Sequence, residues 1–291
     1  MGLNIEHYLK LLRIHQYVKN LFIFLPLFFT LKITDPILFI KAVAAFVAFS
    51  LIASTIYIFN DIRDLDEDKN HPVKKHRPLT ANKIPLNYAV ILMLVLFFTG
   101  NSIAYFLNIN LLFILLLYFI LNVLYSLGLK HISIIDIFII SIGFVLRIFA
   151  GSVTTNTSLT IWIIVMTFLL ALFLALAKRR DDVFLMNKGN NITRKSIDGY
   201  NLVFIDSAMT IMASIIIVSY IFYTISSEII EKFNSHYLYL TTLFVILGIM
   251  RYMQISFVEK KSGSPTLVLL RDKFLQFTVL GWIITFVILI Y

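Results

Sequence analysis

The sequence predicts an all-α membrane protein, a nine-helix transmembrane bundle with a charged mouth at the cytoplasmic face. Three observations carry this reading. Hydrophobic residues make up 59% of the 291 and charged residues 14%, where a soluble domain carries about a quarter. Apolar runs long enough to cross a bilayer, or nearly so, recur along the whole chain. Lys and Arg are confined almost entirely to alternate connections between those runs. No alternating pattern of barrel type occurs, so the spans are helices. Cysteine is absent, which excludes disulfides and thiolate metal sites. The net charge of +9 comes without a basic–aromatic stripe or a nucleic-acid motif. It reads as membrane topology plus an anionic substrate, with no nucleic acid as partner.

The elements follow in order. Residues Asn4 to Lys19 are amphipathic and basic, and are expected in the membrane interface. Spans are expected near 17–32, 36–59, 86–107, 109–127, 132–150, 159–177, 201–226, 236–257 and 269–291. Pro26 interrupts the first of them. Apart from Lys32, Lys41, Lys232, Arg147 and Arg251, every Lys and Arg lies in the N-terminal segment or in the connections 60–85, 128–131, 178–198 and 258–273. Those regions therefore face the cytoplasm, with the N-terminus inside and the C-terminus outside. The whole chain, 1–291, reads as a single integral-membrane domain of the cytoplasmic membrane of a bacterium or archaeon. The sequence is compatible with a homo-oligomer.

The chemistry concentrates in Asn60 to Thr80, N-D-I-R-D-L-D-E-D-K-N-H-P-V-K-K-H-R-P-L-T. If the helix of the preceding run continues through the acids, Asp61, Asp64 and Asp68 share one face, with Asn60 adjacent. Like charges there repel one another and the negative end of the helix dipole, and a hard cation relieves both. Mg²⁺ suits such a set, because it takes one or two carboxylates and completes its shell with water and phosphate oxygens. The bland alternative is a solvated acidic loop, but acids at a membrane exit run against the usual Lys/Arg bias. Asp66 and Glu67 are expected to point elsewhere.

Lys74, Lys75 and Arg77 are candidates to grip phosphate oxygens, Arg by its planar fork. Lys178, Arg179 and Arg180 form a second basic run, and Asp181 or Asp182 would pair with it or bind a second metal. Each of these cations serves equally well to hold its loop in the cytoplasm. Tyr125 to Lys130, Y-S-L-G-L-K, forms another cytoplasmic turn, and all three connections are expected to converge on one mouth. Arg147 lies inside a span, where an ionisable group needs a polar cavity or an interface. A cavity-facing Arg147 is expected, with Asp136 as a partner at the far end of the same span. The six His residues show no ligand spacing, and neither His71 nor His76 is assigned a role.

N-D-x-x-D-x-x-x-D at Asn60, Asp61, Asp64 and Asp68 resembles the first signature of the UbiA superfamily of intramembrane prenyltransferases. Further stretches resemble its decaprenyl-phosphate phosphoribosyltransferase branch: Arg13 to Leu27, Asn60 to Pro78, Tyr125 to Lys130, Gly143 to Gly151, Leu174 to Asp182 and Arg271 to Gln276. The resemblance implies a UbiA-type bundle and a Mg²⁺-dependent reaction. In it phosphoribosyl pyrophosphate gives its phosphoribosyl group to a polyprenyl phosphate and pyrophosphate leaves. It implies Asp61, Asp64 and Asp68 as the metal-pyrophosphate set and the catalytic residues, while Asn60 beside them is a candidate neutral oxygen ligand to the metal or a hydrogen-bond donor. It further implies Lys19, Lys74, Arg77, Lys130, Lys178 and Arg179 as phosphate contacts. The candidate substrate-binding set adds Asn60, Tyr125, Arg147 and Asp182. The second D-x-x-x-D usual in the superfamily is missing, since Asp181 is followed four places on by Leu185 and Asp182 by Met186. The alternatives are a prenyltransferase acting on a prenyl diphosphate and a small acceptor, and a transporter or lipid-binding protein. The latter would need paired broken helices, which the sequence lacks.

Overall fold

The computed structural model describes residues 5–69, 74–187 and 195–290, without the side chains of Lys195 and Ser196. Asn70 to Val73 and Arg194, which fall in two of the stretches singled out above, lie outside the described residues, and His71 with them. The α-helices are α1 (Ile5–Leu12), α2 (Leu25–Phe29), α3 (Pro36–Arg63), α4 (Leu65–Lys69), α5 (Leu86–Leu107), α6 (Ile109–Leu127), α7 (Ile135–Thr155), α8 (Ile161–Asn187), α9 (Leu202–Ile225), α10 (Ser227–Phe233), α11 (Thr242–Gln254), α12 (Pro265–Arg271) and α13 (Lys273–Ile290). Eight helical segments are long and apolar enough to cross a membrane: α3, α5 to α9, the stretch Leu238–Glu259 containing α11, and α13. The protein is an all-helical integral-membrane protein.

The span count differs from the expected nine at residues 17–32. Ile14–Phe24 is a 3₁₀ helix, and the five-residue α2 follows it with Pro26 in its first turn. The reason lies in the spacing of the groups to be buried. Tyr17, Asn20 and Ile23 recur every three residues, and a helix of 3.0 residues per turn stacks them on one face. Tyr17 shares a hydrogen bond with Ser54 at 2.8 Å, and Asn20 donates to Ser50 at 2.8 Å. The Ile23 backbone lies against Gly151, where a Cβ would come within 2.0 Å of its carbonyl oxygen. The Phe24 ring meets Phe46 and Phe39. The segment therefore runs antiparallel to α3.

The chain divides into two compact units. The first comprises residues 1–128 and 143–159, and the second 129–142 and 160–291, so the division passes through α7. In the first unit, α3 starts at Asp35, whose carboxylate accepts from the Ile37 and Leu38 amides, with Pro36 at the first helical position. Its buried stripe includes Ala42, Ala45, Ala48 and Ala53, small residues that let helices approach closely. α5 uses this at Gly100, where a Cβ would sit 3.1 Å from the Ala48 carbonyl. α3 continues beyond the apolar run to Arg63, carrying Asn60 and Asp61 as helical residues. In the second unit, α8 likewise extends past its apolar run to Asn187, carrying Lys178 to Asp182. Here Phe173, Ala177, Val183, Ile205 and Met209 belong to one buried core between α8 and α9. Asn201 caps α9 by accepting from the Phe204 amide.

Candidate active site

In the first unit the acids gather at the end of α3. The expected continuous helical face is broken: α3 stops at Arg63, Asp64 leaves helical geometry, and α4 restarts at Leu65. The break still brings Asp61 and Asp68 together, because Arg77 donates to both, at 3.0 Å to Asp61 Oδ1 and 2.5 Å to Asp68 Oδ2. Arg13 also donates to Asp61 Oδ1, and Lys74 Nζ lies 3.2 Å from Asp68 Oδ1. Both acids are almost wholly buried, Asp61 at 1% exposure and Asp68 at 0%. Buried carboxylates need such partners, since desolvation of a lone charge costs several kcal/mol. Asp64 is half-buried. Asn60 Oδ1 accepts from the Ser126 hydroxyl, which ties α3 to α6. Asp66 and Glu67 are exposed, and Asp66 pairs with Lys69 at 2.7 Å. Lys19 and Tyr125 are half-buried in this unit.

Arg13 is the residue that sequence reasoning missed at this cluster. It was legible as part of a basic interfacial stretch, but its partner lies 48 positions away. It sits between α1 and the 3₁₀ helix with φ 53°, uncommon for a non-glycine residue, and its guanidinium stacks 4.9 Å from the Tyr57 ring centroid.

Arg147, 5% exposed, is also in the first unit. The expected partnership with Asp136 is not made. Arg147 donates to Asn20 Oδ1 at 2.8 Å, to Tyr118 Oη at 3.0 Å and to the Gly143 carbonyl at 2.5 Å. The rings of Phe49, Tyr118 and Phe144 surround its guanidinium at 4.9–5.1 Å. Asn20 and Tyr118 had no sequence signal of their own, because each is an isolated polar group in an apolar run.

The second unit carries the other charged cluster. Arg179, 1% exposed, donates to Asp136 Oδ2 and to Asp182 Oδ2, both at 2.6 Å. The Tyr200 hydroxyl donates to Asp136 Oδ1 at 2.8 Å and accepts from the Ile134 amide at 2.6 Å. Burial pushes that hydroxyl above its ordinary value, so it stays protonated and able to donate. Gly199 lies directly on Ser133, where a Cβ would come within 2.2 Å of the hydroxyl. The turn carrying Lys130 is thereby tied to the residues that lead into α9. Arg180 pairs with Asp206 and donates to the Ser256 carbonyl, while Lys178 is exposed and Lys130 half-buried.

Among the described residues, no three His, Asp or Glu side chains form a metal-binding group. The pair Asp61 and Asp68 nevertheless fits a hard divalent ion. Mg²⁺ needs one or two carboxylates when phosphate oxygens complete its shell. Asp68 Oδ1 is buried and has no hydrogen-bond donor among the described residues, Lys74 approaching it without hydrogen-bond geometry.

Buried carboxylates faced by guanidinium and ammonium groups, at the end of a membrane-spanning helix, suit a small and highly charged group handled at a bilayer surface. The class so defined is that of helical membrane proteins with a buried charged cluster at the end of a span. Residues 21–277 match the UbiA prenyltransferase family, and the chain belongs to that family. It is 29% identical over 287 residues to the decaprenyl-phosphate phosphoribosyltransferase of Corynebacterium glutamicum, covering 97% of this chain and 86% of that one. The enzyme of the same name from Mycobacterium tuberculosis is 29% identical over 245 residues, covering 84% of this chain and 80% of its own. The fold is similar to that of a UbiA homolog from Archaeoglobus fulgidus bound to GPP and Mg²⁺. The TM-score is 0.72 at 18% identity, over 96% of this chain and 98% of that one.

Proposed function

We propose that this protein transfers a 5-phosphoribosyl group from phosphoribosyl pyrophosphate to a polyprenyl phosphate, releasing pyrophosphate, with Mg²⁺ as cofactor. The observation that carries the reading is the cluster around Arg77, in which the buried Asp61 and Asp68 meet three partly exposed cations. Near-full-length similarity to phosphoribosyltransferases supports the donor and the acceptor.

A lipid phosphate oxygen forms the new bond to the anomeric carbon of the ribose, and the bond from that carbon to pyrophosphate breaks. The electron pair leaves with the pyrophosphate. The nucleophile is already anionic, so no general base is required and positioning dominates. Arg13, Lys74 and Arg77 neutralise the departing charge, with Lys19 in the same unit as a further phosphate contact. Asp61 and Asp68 would hold Mg²⁺, with Asn60 and Asp64 beside them. When bound, the ion supplies charge neutralisation on the leaving group. In the second unit, Lys130, Lys178 and Arg179 are proposed as phosphate contacts. Asp136, Asp182 and Tyr200 fix the orientation of Arg179. Arg147 is assigned a bracing role within the first unit.

The ninth crossing belongs to the same reading. Eleven residues of 3₁₀ helix at about 2.0 Å each, followed by α2 at about 1.5 Å per residue, extend about 30 Å, the thickness of the hydrocarbon core. With that crossing, the N-terminus and the Asp61–Arg77 cluster lie on the cytoplasmic side.

Membranes carrying the protein, given labelled phosphoribosyl pyrophosphate, a polyprenyl phosphate and Mg²⁺, are expected to move label into the organic phase. Label that stays in water, with turnover of a prenyl diphosphate instead, would support prenyl transfer, the reading favoured by the fold neighbour bound to GPP. Turnover of neither would point to transport. Asp61→Asn and Asp64→Asn are each expected to abolish turnover in a folded protein.

A further inference from the structure

We infer that Asp61 and Asp68 are latched by the site's own cations, and that Arg13 makes binding of a divalent metal conditional on diphosphate. This rests on the proposed reading only in taking Asp61 and Asp68 as the metal's carboxylates. In the structure those two carboxylates face three cations: Arg13 and Arg77 on Asp61, Arg77 and Lys74 on Asp68. The local sum of these five charges is positive. A divalent cation arriving alone must compete with an arginine for a buried carboxylate, and the displaced cation loses its charge-assisted partner. Diphosphate changes the exchange. Its oxygens accept the guanidinium and ammonium donors as the carboxylates turn to the metal, so every charge keeps a partner. Metal and diphosphate then bind as a unit, and each raises the affinity for the other by the same factor.

Arg13 is the cation that sets this coupling. Arg77 is shared between two carboxylates, whereas Arg13 has one acidic partner among the described residues, Asp61. Its guanidinium is held over Tyr57, so it faces the carboxylate without a second anion to draw it away. Its backbone takes a left-handed conformation at the junction between α1 and the 3₁₀ helix, where a non-glycine residue is uncommon. The chain adopts that conformation where it presents this side chain to Asp61.

The test uses the purified full-length protein in nanodiscs, with Mn²⁺ as the metal and inorganic pyrophosphate as the diphosphate. Protein-bound metal and labelled pyrophosphate are both measured by equilibrium dialysis, with chelation in solution subtracted. Wild-type protein is expected to bind Mn²⁺ at least about tenfold more tightly with pyrophosphate present, within the usual range of coupling between sites. Arg13→Gln is expected to bind Mn²⁺ alone more tightly than wild type and the metal-pyrophosphate pair more weakly, so that the coupling collapses. Arg13→Lys keeps the charge and should retain most of it. If Arg13→Gln does not fold, Tyr57→Leu, which frees the guanidinium from its ring, should show the same reversal in weaker form. Equal Mn²⁺ affinity with and without pyrophosphate in wild type would overturn the latch, as would a folded Arg13→Gln protein with both affinities unchanged. Coupling without phosphoribosyl transfer would leave the latch standing and remove the proposed substrate. Transfer without coupling would do the reverse.

Discussion

Replacing Arg147 by Met tests whether a charge inside the bilayer can brace the fold. The change removes two hydrogen bonds that join different elements, to Asn20 of the 3₁₀ helix and Tyr118 of α6. The third, to Gly143, lies within α7 and does not hold elements together. Cross-element bonds in membranes contribute about 0.6 kcal/mol each and up to about 1.7. The three aromatic contacts add about 0.5–2 kcal/mol in total. The expected loss is therefore about 2–5 kcal/mol. An arginine facing lipid also costs about 2.5–3.5 kcal/mol, which folding relieves and a methionine does not need, so this term adds to the loss. Equilibrium unfolding in mixed micelles gives the magnitude. A double-mutant cycle with Asn20→Leu isolates the pair, with an expected coupling of about 0.6–1.7 kcal/mol. Coupling near zero, with stability unchanged and pyrophosphate affinity lost, would refute the brace and make Arg147 a substrate contact.

Other consequences concern the rest of the molecule. Arg179→Ala leaves the buried Asp136 without its guanidinium and is expected to cost about 3–5 kcal/mol, read as a lower Tm in detergent. Gly151→Ala is expected to destabilise far more than Gly199→Ala. The new methyl group meets the Ile23 backbone at the first site and only the Ser133 side chain at the second. Parallel thermal melts of the two variants decide the order.

Several features were legible in the sequence because they depend on local pattern. The apolar runs beginning near 36, 86 and 109 became α3, α5 and α6 with starts as expected, since a helix that faces lipid needs little more than length and hydropathy. The acids at the end of α3 stood out because charge there is anomalous. The 3₁₀ helix did not stand out. Its apolar content reads as an α-helical span, and its period of three has meaning only once Ser50, Ser54 and Gly151 are seen on the opposing helices. Asp136 was legible as a charge near a span but not as the partner of Arg179 and Tyr200, which lie 43 and 64 positions away.

The sequence by itself determined the membrane class, the spans α3 and α5 to α9, the place of the acidic cluster and the family likeness. All of these follow from composition and from residues close along the chain. Only the tertiary structure decided that Arg13 reaches Asp61, that Arg147 is held by Asn20 across 127 positions, and that Asp68 is wholly enclosed. A buried charge takes whichever partner the packing of helices brings within about 3 Å, and that choice is made by the faces that meet rather than by any local spacing.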